Sequence, residues 1–465
     1  MMEYERYKVE DRLWNTKIPS HWDIKPLYGI GSLKSICNCT DLPLLSVYLD
    51  SGVIPFEAKS EKRTNATSKD LSKYQRVDVG NLVLNNQQSW RGSVGVSNYQ
   101  GIVSPAYLIV DLDDTLTREF ANYLFRSPIM VGQYHINSKG VGSIQRNIYW
   151  QGLKRTMALI PPLSEQRKIV TYLDWQLSNI NKLILNKKKS ISLLHEQRQA
   201  IIDDNVIEKS ASDNCQNKYG FSIPTGWSIV KFNGYFDFFK GLNITKKNLV
   251  DEGVSVISYG QVHSKNNSGT EIDDSLIRYV DEIYLKTSSN ALVQRGDFIF
   301  ADTSEDFEGV GNCVFVDRDD TIFAGYHTLV ARPKDGKENR YLAYLFKSSF
   351  WRYQLRKNVN GVKVYSITQK VLKNVFVVLP PSKKQQEIVG VLDSKCKRIS
   401  AEISKISEEL LILEELKKKL IFDSVTGQID VRDVEVPEFT YFEETHDDTD
   451  DTYDADDEDD IDEEV

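Results

Sequence analysis

Residues 160–170 read Ile-Pro-Pro-Leu-Ser-Glu-Gln-Arg-Lys-Ile-Val, and residues 379–389 read Leu-Pro-Pro-Ser-Lys-Lys-Gln-Gln-Glu-Ile-Val, 219 positions later. After each copy, apolar residues recur at steps that alternate between four and three. This spacing is typical of a helix that packs along another helix. Each position of the second stripe follows its counterpart in the first by the same 219 residues. We predict that these apolar residues form the seam of a helix pair: Leu173, Leu177, Ile180, Ile184, Ile191, Leu194, Leu392, Ile399, Ile403, Ile406, Leu410 and Leu413.

The two Pro-Pro pairs mark where these helices begin, because proline suits the first turn of a helix. We predict a first spacer helix over 163–207 and a second over 382–425. The first helix carries the chain from one globular segment to the next, and the second must run back if the two seams meet. The pair is therefore predicted to be an antiparallel coiled coil. The alternative, in which each stripe packs only on its own domain, leaves the shared register unexplained.

The globular segments before the two helices share further landmarks. The Ile-Pro-x-x-Trp of residues 18–22 returns at 223–227, Gly-Asn-Leu-Val-Leu at 80–84 returns as Gly-Asp-Phe-Ile-Phe at 296–300, and the short helix predicted at 121–127 returns at 342–348. We therefore predict an α+β protein with a pseudo-twofold internal repeat, in which mixed α/β domains cover 1–162 and 208–381. Short β-rich runs between Gly, Asn, Asp and Ser turns predict strands. The predicted strands are Leu44–Tyr48, Leu82–Asn85, Tyr107–Val110, Val254–Ser258, Phe298–Ala301 and Cys313–Val316.

The net charge of −9 averages two unlike parts of the chain. Beyond Arg432 there are eighteen carboxylates and no lysine or arginine, whereas residues 1–432 hold 58 basic and 49 acidic residues and carry a net charge of +9. The composition of 433–465 predicts an acidic, disordered tail. The basic body is compatible with a polyanionic partner but does not establish one.

No catalytic constellation is present in the sequence. It lacks a phosphate-binding loop, and its six histidines show neither metal-ligand nor triad spacing. Five scattered cysteines indicate reduced thiols. No apolar run is long enough to cross a bilayer, and no signal peptide is visible, so we expect a cytoplasmic protein. We predict a binding protein with no catalytic residues, no metal site and no cofactor of its own.

Polar loops indicate what the chain binds. Amide, guanidinium and aromatic side chains on loops are the groups that reach base edges and phosphates. Such residues cluster at 85–93 and 137–147 in the first half, and at 240–243, 258–265 and 358–366 in the second. The candidate DNA-binding residues are Asn85, Gln87, Gln88, Arg91, Lys139, Arg146, Lys240, Gln261, His263, Lys363 and Tyr365.

Taken together, these features resemble the specificity subunit of type I restriction-modification systems. The resemblance covers residues 18 to about 431 and rests on the paired Ile-Pro-x-x-Trp openings, on the stretches at 90–97, 101–107, 301–306 and 364–367, and on Pro-Pro-Leu-Ser-Glu-Gln at 161–166. The second copy departs from that last motif at 380–385.

This resemblance implies two target recognition domains, each reading one half of a split asymmetric DNA site, with the helix pair fixing the gap. It also implies double-stranded DNA, two methyltransferase (M) subunits and restriction/translocase (R) subunits as partners. S-adenosylmethionine, ATP and Mg are then expected on those partners, and this chain is expected to be non-catalytic. Two alternatives stay open at this point: an orphan DNA-binding regulator or antirestriction protein of the same fold, and a coiled-coil scaffold that binds no DNA.

Overall fold

The computed structural model describes residues 3–14, 16–58, 70–141, 145–207, 215–218, 221–359 and 364–442. Lys363 and the acidic tail from residue 443 onward lie outside these residues, as does the prediction that this tail is disordered. Within the described chain, residues 3–188 and 407–442 form one compact unit, and residues 189–406 form a second. The predicted fold class, two mixed α/β domains with long helices, is confirmed. Where the domains begin and end stays a prediction, because the division between the units falls inside both long helices.

The first unit is built around a four-stranded antiparallel sheet in the order β4-β11-β8-β9. Its elements are β1 (Tyr7–Glu10), β2 (Thr16–Pro19), β3 (Asp23–Pro26), β4 (Gly31–Lys34), β5 (Leu45–Tyr48), β6 (Gly52–Pro55), β7 (Gln75–Val77), β8 (Leu82–Asn85), β9 (Val94–Val96), β10 (Gly101–Val103), β11 (Tyr107–Leu112), α1 (Arg118–Arg126), α2 (Pro128–Asn137), β12 (Lys139–Val141), β13 (Gln145–Asn147), α3 (Trp150–Leu153), β14 (Met157–Ile160) and α4 (Leu163–Val206), of which α4 continues into the second unit.

Apolar residues bury both faces of this sheet. Leu82 and Leu84 of β8 belong to the main core with helices α1 and α2, whereas Val83 belongs to a smaller core with β5 and β6. Successive side chains of a strand point to opposite faces, so one strand can supply both cores. Helix α1 begins after Thr117, whose hydroxyl accepts a hydrogen bond from the backbone nitrogen of Phe120.

The second unit repeats the sheet in the order β18-β26-β22-β24. Its elements are β15 (Cys215–Lys218), β16 (Phe221–Pro224), β17 (Ser228–Lys231), α5 (Phe232–Tyr235), β18 (Phe236–Lys240), β19 (Leu249–Val250), β20 (Val254–Ile257), α6 (Tyr259–His263), β21 (Arg278–Val280), α7 (Tyr284–Thr287), β22 (Phe298–Ala301), β23 (Thr303–Ser304), β24 (Cys313–Phe315), β25 (Ile322–Ala324), β26 (Thr328–Pro333), α8 (Arg340–Lys347), α9 (Ser349–Arg356), β27 (Tyr365–Ser366), α10 (Gln369–Asn374), β28 (Phe376–Leu379) and α11 (Ser382–Val425), whose last part returns to the first unit.

The registers of the two sheets match. Leu84 of β8 pairs with Val94, and Phe300 of β22 pairs with Cys313 in the corresponding place. The second unit also has a sheet in the order β19-β21-β20-β25, in which β20 and β25 are parallel. The units therefore share a scaffold on which different additions are built.

The predicted seam residues of the first unit face its interior. Leu173, Leu177, Ile180 and Ile184 are buried in the core, and Leu410 and Leu413 pack against it. Near the start of α4, Oε1 of Glu165 accepts a hydrogen bond from the hydroxyl of Tyr4, and the guanidinium of Arg432, which follows α11, lies 4.9 Å from the centroid of the same Tyr4 ring. Further along α4, Lys187 Nζ donates a hydrogen bond to Glu409 Oε2 over 2.5 Å. A residue further along α4 thus contacts a residue earlier in the returning chain. The two helices are therefore antiparallel in this unit.

In the second unit, the remaining seam positions are also turned away from solvent. Leu392 and Ile399 are buried, and four seam residues are half-buried: Ile191, Leu194, Ile403 and Ile406. Ile202 and Val206 of α4 share one apolar core with Ile388 and Leu392 of α11. The inward orientation of both stripes follows from the alternating steps of four and three, which keep one helix face apolar.

Candidate nucleic-acid interface

In the first unit, several predicted residues surround the indole of Trp90. A 3-10 turn at Ser89–Arg91 presents this ring, whose Nε1 donates to the carbonyl oxygen of Gln87 over 2.9 Å. The guanidinium of Arg91 lies 4.8 Å from the ring centroid, a cation–π contact. The ring of His135 lies edge-on at 5.8 Å. Arg146 Nη1 donates to the carbonyl oxygen of His135 over 3.4 Å, so Arg91 and Arg146 belong to one aromatic and basic cluster.

The other candidates of the first unit lie on the loops next to this cluster. Gln87, Gln88 and Lys139 are exposed, and Asn85 is half-buried. The amide oxygen of Asn85 accepts a hydrogen bond from the backbone nitrogen of Gln87 over 3.1 Å, which shapes the loop. Lys139 begins the hairpin of β12 and β13 opposite Asn147.

In the second unit, two candidates also have structural partners within the protein. The Oε1 of Gln261 accepts from the backbone nitrogen of Ser258 over 3.1 Å, as part of the capping box of α6. The ring of His263 lies 4.8 Å from that of Tyr259, and its Nε2 is 2.9 Å from the carbonyl oxygen of Thr303. These contacts hold both side chains in place, and their predicted contact with DNA stays a prediction.

The last described candidates differ in their setting. Lys240 is exposed at the end of β18, whereas the ring of Tyr365 lies 5.3 Å from that of Phe307. The guanidinium of Arg356 lies 5.3 Å from the centroid of Phe307, which makes a second aromatic and basic cluster. Lys363, the remaining candidate, is among the residues that the structure does not describe.

Sequence reasoning missed a group of cations in the second unit. Lys347 ends α8 in a partly buried position, and burial together with the charge of Arg352 lowers its pKa to about 8. The charge of Arg198 on α4 acts in the same direction. Among the described residues, no carboxylate forms an ion pair with Lys347. One signal was available in the sequence, since Arg126 stands at the matching place before Ser127 in the first half.

Arg352, by contrast, is fixed by neutral acceptors. Its Nη1 donates to the carbonyl oxygen of Glu308 over 2.6 Å, and its Nη2 donates to Oδ1 of Asn312 over 2.9 Å. Among the described residues, Lys347 thus has cationic neighbours and no ion-paired carboxylate, which favours an anion such as a DNA phosphate at this place.

The described residues contain no group of three His, Cys, Asp or Glu side chains arranged to hold a metal ion. A helix long and apolar enough to cross a membrane is likewise not found in the part of the chain that the structure describes.

Comparison with known proteins agrees with this geometry. The family model described as the type I restriction modification DNA specificity domain matches residues 224–411. Residues 224–411 are thus similar to a type I restriction-modification DNA specificity domain. The matched segment spans most of the second unit, including the sheet that the first unit repeats. The predicted resemblance to type I specificity subunits is thereby confirmed.

Two related proteins match this chain over longer segments than the family model does. The type I restriction enzyme MjaVIII specificity subunit of Methanocaldococcus jannaschii is 22% identical over 448 residues, which cover 92% of this chain and 98% of that protein. A putative type I restriction enzyme MjaX specificity subunit of the same organism is 23% identical over 205 residues, covering 43% of this chain and 45% of the relative.

Among solved structures, a chain from work on complex assembly and conformational transition of the type I R-M system has a TM-score of 0.61 and 18% identity. The match covers 89% of this chain and 100% of that chain, so the two share a fold. These matches support a specificity subunit over an orphan regulator or a scaffold that binds no DNA.

Proposed function

We propose that this chain is the DNA-recognition subunit of a type I restriction-modification complex, in which each unit reads one half of a bipartite asymmetric site. The observation that carries the proposal is the recurrence of one strand order, β4-β11-β8-β9 and β18-β26-β22-β24, in two units whose loops differ. A shared scaffold with different loops suits a protein that reads two different short sequences. Aromatic and basic side chains gather on the loops of both units.

Base contacts and phosphate contacts have different chemistry in this proposal. Arg91 and the amides of Gln87 and Gln88 serve base edges in the first half-site, because guanidinium and carboxamide groups match the hydrogen-bonding patterns of guanine and adenine. Lys139, Lys240 and Lys347 serve phosphates, which position the protein on the duplex without reading sequence.

The helices α4 and α11 have two roles in this proposal. They set the number of base pairs between the half-sites, and they dock two methyltransferase subunits. Apolar side chains outside the seam support the docking role, since Leu411 and Ile412 are 69% and 63% exposed. Contiguous exposed apolar patches are typical of surfaces that bind other proteins.

Chemistry is assigned to the partner chains. The methyltransferase subunits use S-adenosylmethionine to methylate adenine, and the restriction subunits use ATP and Mg for translocation and cleavage. This chain contributes recognition and non-catalytic assembly, in keeping with its specificity domain and with a solved relative that comes from a type I complex.

A domain exchange tests the proposal. Residues 18–160 are replaced by the corresponding segment of a related specificity chain, and the hybrid is produced with its methyltransferase partner in a host without other adenine methylation. Sequencing of methyladenine should show one half of the site changed, with the other half and the gap retained. The reciprocal exchange of residues 223–378 should change the opposite half. A change in both halves after a single exchange contradicts the proposal.

A further inference from the structure

Equivalent positions in the two units each have a buried side-chain oxygen that accepts no hydrogen bond from the described residues. Asn86 directly follows strand β8, and Asp302 directly follows the matching strand β22. The Oδ1 atoms of Asn86 and Asp302 are both buried, and among the described residues neither has a hydrogen-bond partner. Nearly all buried polar atoms in folded proteins are hydrogen-bonded, so an unpaired acceptor needs an explanation. A buried acceptor without a hydrogen bond at the same place in two divergent domains points to a shared purpose.

The backbone shows that the two positions are equivalent. The carbonyl oxygen of Asn86 accepts from the nitrogen of Ile148 over 2.9 Å, and that of Asp302 accepts from the nitrogen of Ile367 over 2.7 Å. Ile148 and Ile367 are both fully buried and stand 219 positions apart, like the seams of the two helices. Each residue is therefore fixed between the end of a central strand and the segment that leads into a long helix.

The surroundings of both residues suit contact with a nucleic acid. Asn86 begins the loop that presents Trp90 and Arg91. Asp302 adjoins His327, whose φ of +52° is unusual for a residue with a side chain. The Oδ1 of Asp302 makes no hydrogen bond with a described residue but lies 3.4 Å from Nδ1 of His327, an ion-pair distance when the imidazole is protonated, and the two side chains are 34% and 60% exposed. The ring of Tyr259 lies 6.3 Å from that of His327, so aromatic faces border the carboxylate.

Asn86 and Asp302 differ in hydrogen-bonding capacity although they occupy equivalent places in the shared scaffold. The carboxamide of asparagine offers a donor and an acceptor together, which matches N7 and the N6 amino group of adenine. An ionised carboxylate only accepts, which matches the N4 amino group of cytosine. We propose that Asn86 and Asp302 are equivalent base-reading residues, with Asn86 selecting adenine in the half-site read by the first unit and Asp302 selecting cytosine in the other. This inference rests on the proposed function.

Isosteric exchange of the two functional groups tests this assignment. Asn86→Asp and Asp302→Asn are made in the full chain, produced with its methyltransferase partner, and methyladenine is mapped across a genome. Each variant should reduce the preference for the original base roughly 10-fold at one position of one half-site. Asn86→Asp should act on one half and Asp302→Asn on the other. Asn98→Asp and Asp251→Asn are matched controls in exposed turns and should leave the site unchanged.

The outcomes separate this inference from the function on which it rests. If the unaltered chain directs methylation to a bipartite site and both variants keep that site, the two Oδ1 atoms have a structural role or bind water. The inference is then overturned, while the proposed function stands. If the unaltered chain directs no such methylation, the proposed function and the inference both fail. A variant that methylates nothing is tested by selection from a randomised duplex pool with the assembled complex. A changed base in one half-site supports the assignment, whereas selection of the original site, or of none, overturns it.

Discussion

Gln133 and Gln354 make the same pair of hydrogen bonds in the two units. The amide nitrogen of Gln133 donates to the carbonyl oxygen of Met157 over 3.0 Å, and its amide oxygen accepts from the nitrogen of Met157 over 2.6 Å. Gln354 makes the equivalent bonds with Phe376, at 3.1 Å and 2.8 Å. Both carboxamides are buried, and each ties a helix to the strand that leads into α4 or α11.

This relationship predicts a large loss of stability for Gln133→Leu. Leucine fills a similar volume but leaves the N–H and the carbonyl of Met157 unpaired in the core, which should lower the free energy of unfolding of the first unit by about 2–4 kcal/mol. Hydrogen exchange followed by mass spectrometry reports each unit separately. The exposed Gln151→Leu is the matched control, and equal protection of the first unit in both variants would contradict the prediction.

The helix pair predicts a response to insertion. Seven residues added to both α4 and α11, after Lys187 and after Ile406, which stands 219 positions later, preserve the alternating register and lengthen each helix by roughly 10 Å. We expect the gap in the methylated site to grow by about three base pairs, since successive pairs are about 3.4 Å apart. The same insertion in α4 alone should mismatch the seams and prevent assembly. An unchanged gap with full methylation after the double insertion would rule out the spacing role.

We expect Lys347 to contact a DNA phosphate and to contribute nothing to sequence recognition. Replacement by methionine should weaken binding to specific and nonspecific duplex by similar factors, because a phosphate contact is electrostatic. The slope of log affinity against log salt should become shallower by about 0.9 for the one lost contact. Lys286→Met, at an exposed position of α7, is the control that should retain the original slope. A change confined to one DNA sequence would show that Lys347 reads a base.

The same side chain predicts a pH dependence of stability. Burial lowers the pKa of Lys347 to about 8, below that of an unfolded lysine, so folding disfavours its charged form. Lys347→Met should therefore stabilise the protein by roughly 1–3 kcal/mol below pH 8. That advantage should shrink as the pH rises from about 8 toward the ordinary lysine value near 10.4, where the unfolded chain also loses the proton. Denaturant titrations at pH 7 and pH 10 measure the difference, and an advantage that grows with pH would refute it.

The acidic composition of residues 443–465 leads to a further prediction. The described chain ends beside α4, where the nitrogen of Phe442 donates to Oγ of Ser178 over 2.8 Å. We predict that a polyanion attached there competes with DNA for the basic body, and the alternative explanation is that the tail serves solubility. Deletion of 443–465 should tighten nonspecific binding at low salt, with the difference shrinking as salt screens both forms. Equal affinity of the full and shortened chains at low salt would leave only solubility.

Local sequence patterns predicted much of the fold. The predicted strands Leu82–Asn85 and Phe298–Ala301 have the bounds seen in the structure, and the Pro-Pro pairs located the starts of α4 and α11 to within a residue. These features depend on neighbours within a few residues, so composition and spacing reveal them. The parallel pairing of β20 with β25 was not predictable in this way, because it joins segments more than sixty residues apart.

The candidate interface was also predicted only in part. The amino-acid sequence alone indicated which loops are rich in amides, cations and aromatic rings, and it revealed the internal repeat. Only the tertiary structure showed that Arg146 contacts the backbone of His135 and that the carboxamide of Gln261 caps a helix. It also showed that burial and the charges of Arg352 and Arg198 lower the pKa of Lys347. It also revealed that the buried Oδ1 atoms of Asn86 and Asp302 accept no hydrogen bond from any described residue. The physical reason is that residue type and periodicity are local properties, whereas burial, pairing and the electrostatic field at an atom depend on segments that are distant in the chain.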